Sequence, residues 1–107
     1  MFNINNIEWD IVIVPADSVE LRKPDGRYAY GMCDSWSSTI YISDELYGEF
    51  FKKVLCHEIT HAAMFSYGVD LTHDEEELIA DLISTYGAEV IDITNRMFYT
   101  IKKRFAA

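Results

Sequence analysis

A chain of 107 residues, half of them apolar and a quarter charged, is sized for one compact domain over residues 1–107 and leaves no room for a second. Eighteen acidic against nine basic side chains give a formal charge of −9, a field that repels phosphate backbones and anionic lipid and argues against nucleic acid and membrane surfaces as partners. No run approaches the roughly 18 apolar residues of a membrane helix, and Met1–Trp9 lacks the basic start and apolar run of an export signal, so the expected location is the cytoplasm and Cys33 and Cys56 are expected as reduced thiols.

Repeats, low-complexity tracts and linkers are absent, and the chain reads as one continuous α+β unit. Ile7–Val14 is rich in β-branched and aromatic residues and stops at Pro15, which predicts a largely buried strand. Pro24-Asp25-Gly26 is a turn: proline presets φ, and glycine accepts conformations closed to other residues. A second strand is expected over Arg27–Cys33, and a third over Thr39-Ile40-Tyr41-Ile42. After Ser43 the apolar period changes to about 3.6, with Tyr47, Phe50, Phe51, Val54, Leu55, Ala62 and Phe65 on one face. Ser43 as N-cap, Asp44 and Glu45 in the first turn and Gly68 after the last predict a helix over 44–67. Thr72 and Glu75 form a capping box, so a second helix starts at His73 and carries an apolar stripe from Ile79 through Tyr86 to Ile101. Unbroken to Arg104 it would run about 48 Å, against roughly 35 Å for a domain of this size, which predicts a break near Gly87 or Thr94-Asn95. Lys102-Lys103-Arg104 then complements the negative end of that helix.

Within the first helix lies His57-Glu58-Ile59-Thr60-His61, an HExxH segment. Its histidines are four residues apart and project from one face, a spacing that suits two imidazole ligands on one zinc ion. Glu58 sits about 100° around the helix, where it does not join them as a ligand but reaches a water on the metal, the position of a general base. A third ligand follows from arithmetic on the helical hairpin. The first helix descends about 10 Å from His61 to Gly68 and the second climbs about 8 Å from Thr72 to Glu77, which returns Glu77 to the level of His61. Asp81, one turn later on the same face, comes level with His57 and can accept a hydrogen bond from that ring's far nitrogen. Glu75 and Glu76 read as acidic residues complementing a helix N-terminus. Cys56 projects away from the ligand face and reads as core; Cys33 reads as a small buried residue, with an approach to the metal from the sheet as the alternative.

His57-Glu58-x-x-His61 followed by Glu77-x-x-x-Asp81 resembles the gluzincin pattern of zinc metallopeptidases. Gly31-Met32-Cys33-Asp34, Thr39-Ile40-Tyr41-Ile42-Ser43 and Leu55–Ala62 are similar to the small phage and prophage ImmA/IrrE-like metallopeptidases and to the minigluzincins, over roughly residues 30 to 85. The metzincin pattern does not fit, since its glycine and third histidine would fall at Met64 and Tyr67. The resemblance implies a zincin-like α+β fold: a small mixed sheet of about three strands packed on the HExxH helix and a following glutamate-bearing helix. It also implies one Zn2+ per chain on His57, His61 and Glu77, with Asp81 supporting a histidine and Glu58 as general base in peptide hydrolysis. In zincins the strand before the active-site helix, here Thr39–Ile42, aligns extended substrate at a sheet edge. The expected partner is therefore a peptide or protein substrate, selected with the help of a protein partner or homo-oligomer, because so short a chain builds few side-chain pockets. Tyr67, His73, Tyr86 and Tyr99 are equal candidates to stabilise an oxyanion, and a structural role suits each, Tyr86 as core and His73 as solvent-exposed. The alternative function is a zinc-stabilised regulatory or protein-interaction module in which Glu58 turns nothing over.

Overall fold

The computed structural model describes residues 1–105, with side chains described over residues 1–103; the side chain of Arg104, assigned above to the helix C-terminus, lies outside them. Four strands, rather than the three expected, make one mixed sheet: β1 (Phe2–Ile4), β2 (Ile7–Val14), β3 (Gly31–Asp34) and β4 (Thr39–Ser43), in the order β1-β2-β4-β3. The additional strand comes from a hairpin. Asn5 and Asn6 both take positive φ, 49° and 65°, and join Ile4 to its cross-strand partner Ile7 through a two-residue loop.

Of the predicted strands, β2 runs over Ile7–Val14 as expected, pairing with β1 through residues 7–9 and, in parallel, with β4 through residues 10–14. It is not largely buried: Trp9 and Val14 are, whereas Ile11, Val12 and Ile13 are exposed, because the outer main-chain edge of residues 11–14 has no strand partner among the described residues. The second strand is confined to Gly31–Asp34, antiparallel to β4. Residues 27–30 close a loop instead, in which Lys23 donates to the Arg27 carbonyl, Gly26 turns at φ 87°, and Ala29 donates to the Leu21 carbonyl.

The first helix, α1 (Gly48–Ser66), starts four residues later than its capping signal suggested. Sheet pairing captures Ser43 as the last residue of β4: its amide donates to the Tyr30 carbonyl, and the Asp44 amide donates to the Val14 carbonyl. Gly68 closes α1 at φ 65°, as expected. Its core face is narrower than the apolar pattern, since Tyr47, Phe50 and Phe65 are exposed. The core lies between this helix and one face of the sheet, with Trp9, Ile40, Ile42 and Ala62 buried and Phe51, Val54 and Ile59 packed against them. Trp9 also ties the hairpin to the end of α1, donating from its indole nitrogen to the Ser66 hydroxyl at 2.8 Å.

The second helix, α2 (His73–Leu82), begins at the expected capping box, with Thr72 accepting from the Glu75 amide and Glu75 accepting from the Thr72 amide. The α-helical pattern is interrupted near Gly87, one of the two expected places, and not at Thr94-Asn95, but the interruption does not end the rod. A π-helical turn over Ile83–Gly87 leads straight into α3 (Ala88–Phe105). The rod so formed overruns the rest of the molecule, whose principal extents are 60 × 30 × 27 Å. The apolar stripe from Leu82 onward is accordingly exposed, Tyr86 included, instead of forming core. Among the described residues no helix is long and apolar enough to cross a membrane.

Candidate metal centre

α1 and α2 run side by side in opposite directions, and their facing sides bring His57, His61 and Glu77 together. One donor atom from each lies within 4.8 Å of the other two. The two Nε2 atoms stand 3.2 Å apart; Glu77 reaches His61 Nε2 with Oε1 at 2.7 Å and His57 Nε2 with Oε2 at 3.4 Å. Tetrahedral ligands about 2.0–2.1 Å from a zinc ion are about 3.3 Å from one another, so the donors already stand near the spacing such an ion needs.

The other ring nitrogens fix the tautomers. His57 Nδ1 lies 3.1 Å from Asp81 Oδ1, the contact expected of Asp81, and His61 Nδ1 lies 2.6 Å from Glu76 Oε1. A carboxylate only accepts, so each Nδ1–H donates to its carboxylate, and both Nε2 atoms are left facing Glu77 at the centre of the group. Glu76 therefore departs from the expectation in part: both glutamates lie in the first turn, but Glu75 makes the capping bonds while the Glu76 carboxylate turns to His61. The requirement that a ligating imidazole anchor its far nitrogen, which singled out Asp81 for His57, applies equally to His61 and was the signal for Glu76.

The electrostatics are those of a carboxylate-rich pocket. Burial lowers the affinity of His61 for its proton, but the Glu76 hydrogen bond and the charges of Glu58, Glu77 and Glu76 outweigh it and raise the pKa above the ordinary value. Glu58 is 7% exposed, and burial holds its pKa above the usual carboxylate range; His57 and His61 oppose that shift and Glu77 adds to it. This carboxylate lies against β3 at Gly31, where an added Cβ would stand 2.9 Å from Glu58 Cγ and from Val54 Cγ1 and 3.2 Å from Glu58 Oε2. The missing side chain is what leaves room for Glu58.

Both cysteines are free and half-buried. Cys33 is not one of the converging donors; burial, with the charges of Glu58, Glu76 and Asp34, pushes its thiol up to about 12. Thr39–Ile42 occupies an interior position, hydrogen-bonded to β2 on one side and β3 on the other, so it has no free edge to offer. The outer strand next to the site is β3. Among the oxyanion candidates, Tyr67, His73, Tyr86 and Tyr99 are all exposed. No family model, no curated protein and no solved structure matches the chain.

Proposed function

We propose that the protein is a zincin-like, gluzincin-type zinc peptidase, with one zinc ion held by His57, His61 and Glu77. One observation carries this reading: two inward-facing Nε2 atoms 3.2 Å apart, closed by Glu77, with both far nitrogens tied to carboxylates. The HExxH and ExxxD spacings and their resemblance to gluzincins support it, and that resemblance extends to the small phage and prophage ImmA/IrrE-like enzymes.

Zinc bound in that way supplies Lewis acidity, polarising a peptide carbonyl and making water acidic enough to give up a proton near neutral pH. Glu58 takes that proton as the carbonyl is attacked and returns it to the departing amine. Its burial favours this, since a carboxylate of raised pKa holds the proton long enough to deliver it. Asp81 and Glu76 keep the two imidazoles in the ligating tautomer. An extended peptide pairs with the outer edge of β3, Gly31–Asp34, the role assigned from sequence to Thr39–Ile42.

The test is Glu58→Gln, compared with the unaltered chain for zinc content and for cleavage of an unfolded polypeptide at one equivalent of zinc. We expect turnover to fall by at least about 100-fold with zinc retained, the range of a lost general base. Failure of the unaltered chain to bind zinc would sink the metal assignment. Zinc binding without cleavage, or cleavage unaffected by the substitution, would leave the ion as a staple between α1 and α2 in a regulatory module.

A further inference from the structure

The feature that the metal centre does not use is α3. Beyond the π-helical turn it has no extensive packing against another element of the described chain, and its apolar face (Val90, Ile91, Ile93, Met97, Phe98 and Ile101) covers about half the circumference with every member exposed. An isolated amphipathic helix of this length is marginal in water, so its stability must come from covering that face. Tyr86, Val90, Ile93 and Met97 recur at intervals of four, three and four, the a/d spacing of a two-helix seam. Glu89 and Arg96, one heptad apart, flank the seam at the position preceding each a residue.

We propose that a second copy of this chain covers α3, the two helices running antiparallel about a two-fold axis between residues 91 and 92. That alignment stacks Val90 on the partner's Ile93 and Met97 on the partner's Tyr86, with the reciprocal layers generated by symmetry. It also sets Glu89 against the partner's Arg96 twice. Arg96 is steadied along this flank by Asp92 of its own helix, Nε to Oδ2 3.2 Å. Charge rejects the neighbouring alignments. A shift of one heptad either way opposes Glu89 to the partner's Glu89 or Arg96 to the partner's Arg96. A parallel pair sets Glu89 beside the partner's Thr94 and Arg96 beside its Ile101, with no ion pair at all.

The same symmetry accounts for the width of the face. Ala80, Ser84 and Gly87 turn toward the body of their own chain, and Ile91 and Phe98 continue that line past the start of α1. In the antiparallel pair both bodies lie on one side of the helices, so this line meets the body of the partner.

Sedimentation equilibrium of the intact protein is expected to show a monomer–dimer equilibrium, with dimer present by roughly micromolar concentration. Glu89→Arg, which leaves the Asp92–Arg96 pair intact, turns both flanking attractions into repulsions and should weaken the dimer about tenfold. Arg96→Glu should do the same, and the double exchange in one chain should restore dimerisation. Equimolar mixing of the two single variants should give a heterodimer. A monomer at every concentration, a larger assembly, or a dimer indifferent to Glu89→Arg overturns the proposal. Circular dichroism of each variant separates a lost interface from a lost fold.

Discussion

At the residue scale, the arrangement around His61 is the more informative half of the metal centre. His57 and His61 each offer Nε2 to the site and lean on a carboxylate through Nδ1, Asp81 for one and Glu76 for the other. Removing the negative charge of either carboxylate weakens the hold on the tautomer and lowers ligand basicity. Glu76→Gln and Asp81→Asn are therefore each expected to reduce zinc affinity 10- to 100-fold, measured by competition with a chromogenic chelator. Glu75→Gln, which touches only the helix cap, should leave that affinity unchanged. Equal behaviour of the Glu75 and Glu76 variants would show that the His61 contact does not matter. His57, Glu58, His61, Glu77 and Asp81 could be nominated from spacing because all follow from the rise and turn of two antiparallel helices. Glu76 could not be separated from Glu75 by the same means: four successive acidic residues, Asp74 to Glu77, follow His73 in α2, and which of them turn toward α1 depends on how the helices are rotated against each other.

At the scale of elements, β3 does more than add a strand. Its Gly31 lets the backbone approach Glu58 more closely than any side chain would allow. In Gly31→Ala the new methyl meets Glu58 Cγ and Val54 Cγ1 at 2.9 Å, both near the helix backbone and unable to swing aside cheaply. The expected cost is about 1–3 kcal/mol of stability from overpacking, read from chemical denaturation. On the proposed function, a displaced Glu58 is expected to lower turnover more than it changes zinc content. A stable variant with unaltered turnover would contradict the close approach.

The elements themselves were unevenly legible. β2, β4 and the capping box at Thr72 announce themselves locally, through β-branched runs bounded by turns and through reciprocal hydrogen-bonding side chains. β1 was missed although Asn5-Asn6 between Ile4 and Ile7 is a hairpin signal, because three residues give too short a pattern to stand out. The start of α1 was misplaced for a different reason. Ser43 suits a helix cap and a strand end alike, and pairing with Tyr30, remote in sequence, decides between them.

At the scale of the whole molecule, the metal-free fold gathers carboxylates around two imidazoles and gives both Glu58 and His61 raised proton affinities. A group that binds its proton more tightly when folded stabilises the fold below its unfolded pKa, and that contribution is lost as pH rises through the folded value. For Glu58 the loss begins near its ordinary value of 4.5 and for His61 near 6.5, so the stability of chelated protein should decline from mildly acidic to neutral pH. Glu20, Asp25 and Glu75, whose pKa values are lowered, act in the opposite sense, but only below their ordinary values of 4.5, 3.8 and 4.5. On the proposed assignment zinc would compete with the proton at His61, so its stabilising effect should grow over the same interval. Thermal unfolding between about pH 5 and pH 8, with chelator and with zinc, should show the two midpoints diverging as pH rises. A constant gap would contradict zinc binding at these imidazoles.

The uncovered rim of β2 sets a limit on how concentrated the protein can become. Main-chain donors and acceptors along residues 11–14, beside Ile11, Val12 and Ile13, form a template on which another extended chain can crystallise strand by strand. What keeps neighbours apart is mutual repulsion between acidic molecules, eighteen carboxylates against nine bases. Mild acid or abundant salt removes that barrier while leaving the sticky rim intact, so precipitation begins there before the fold itself gives way.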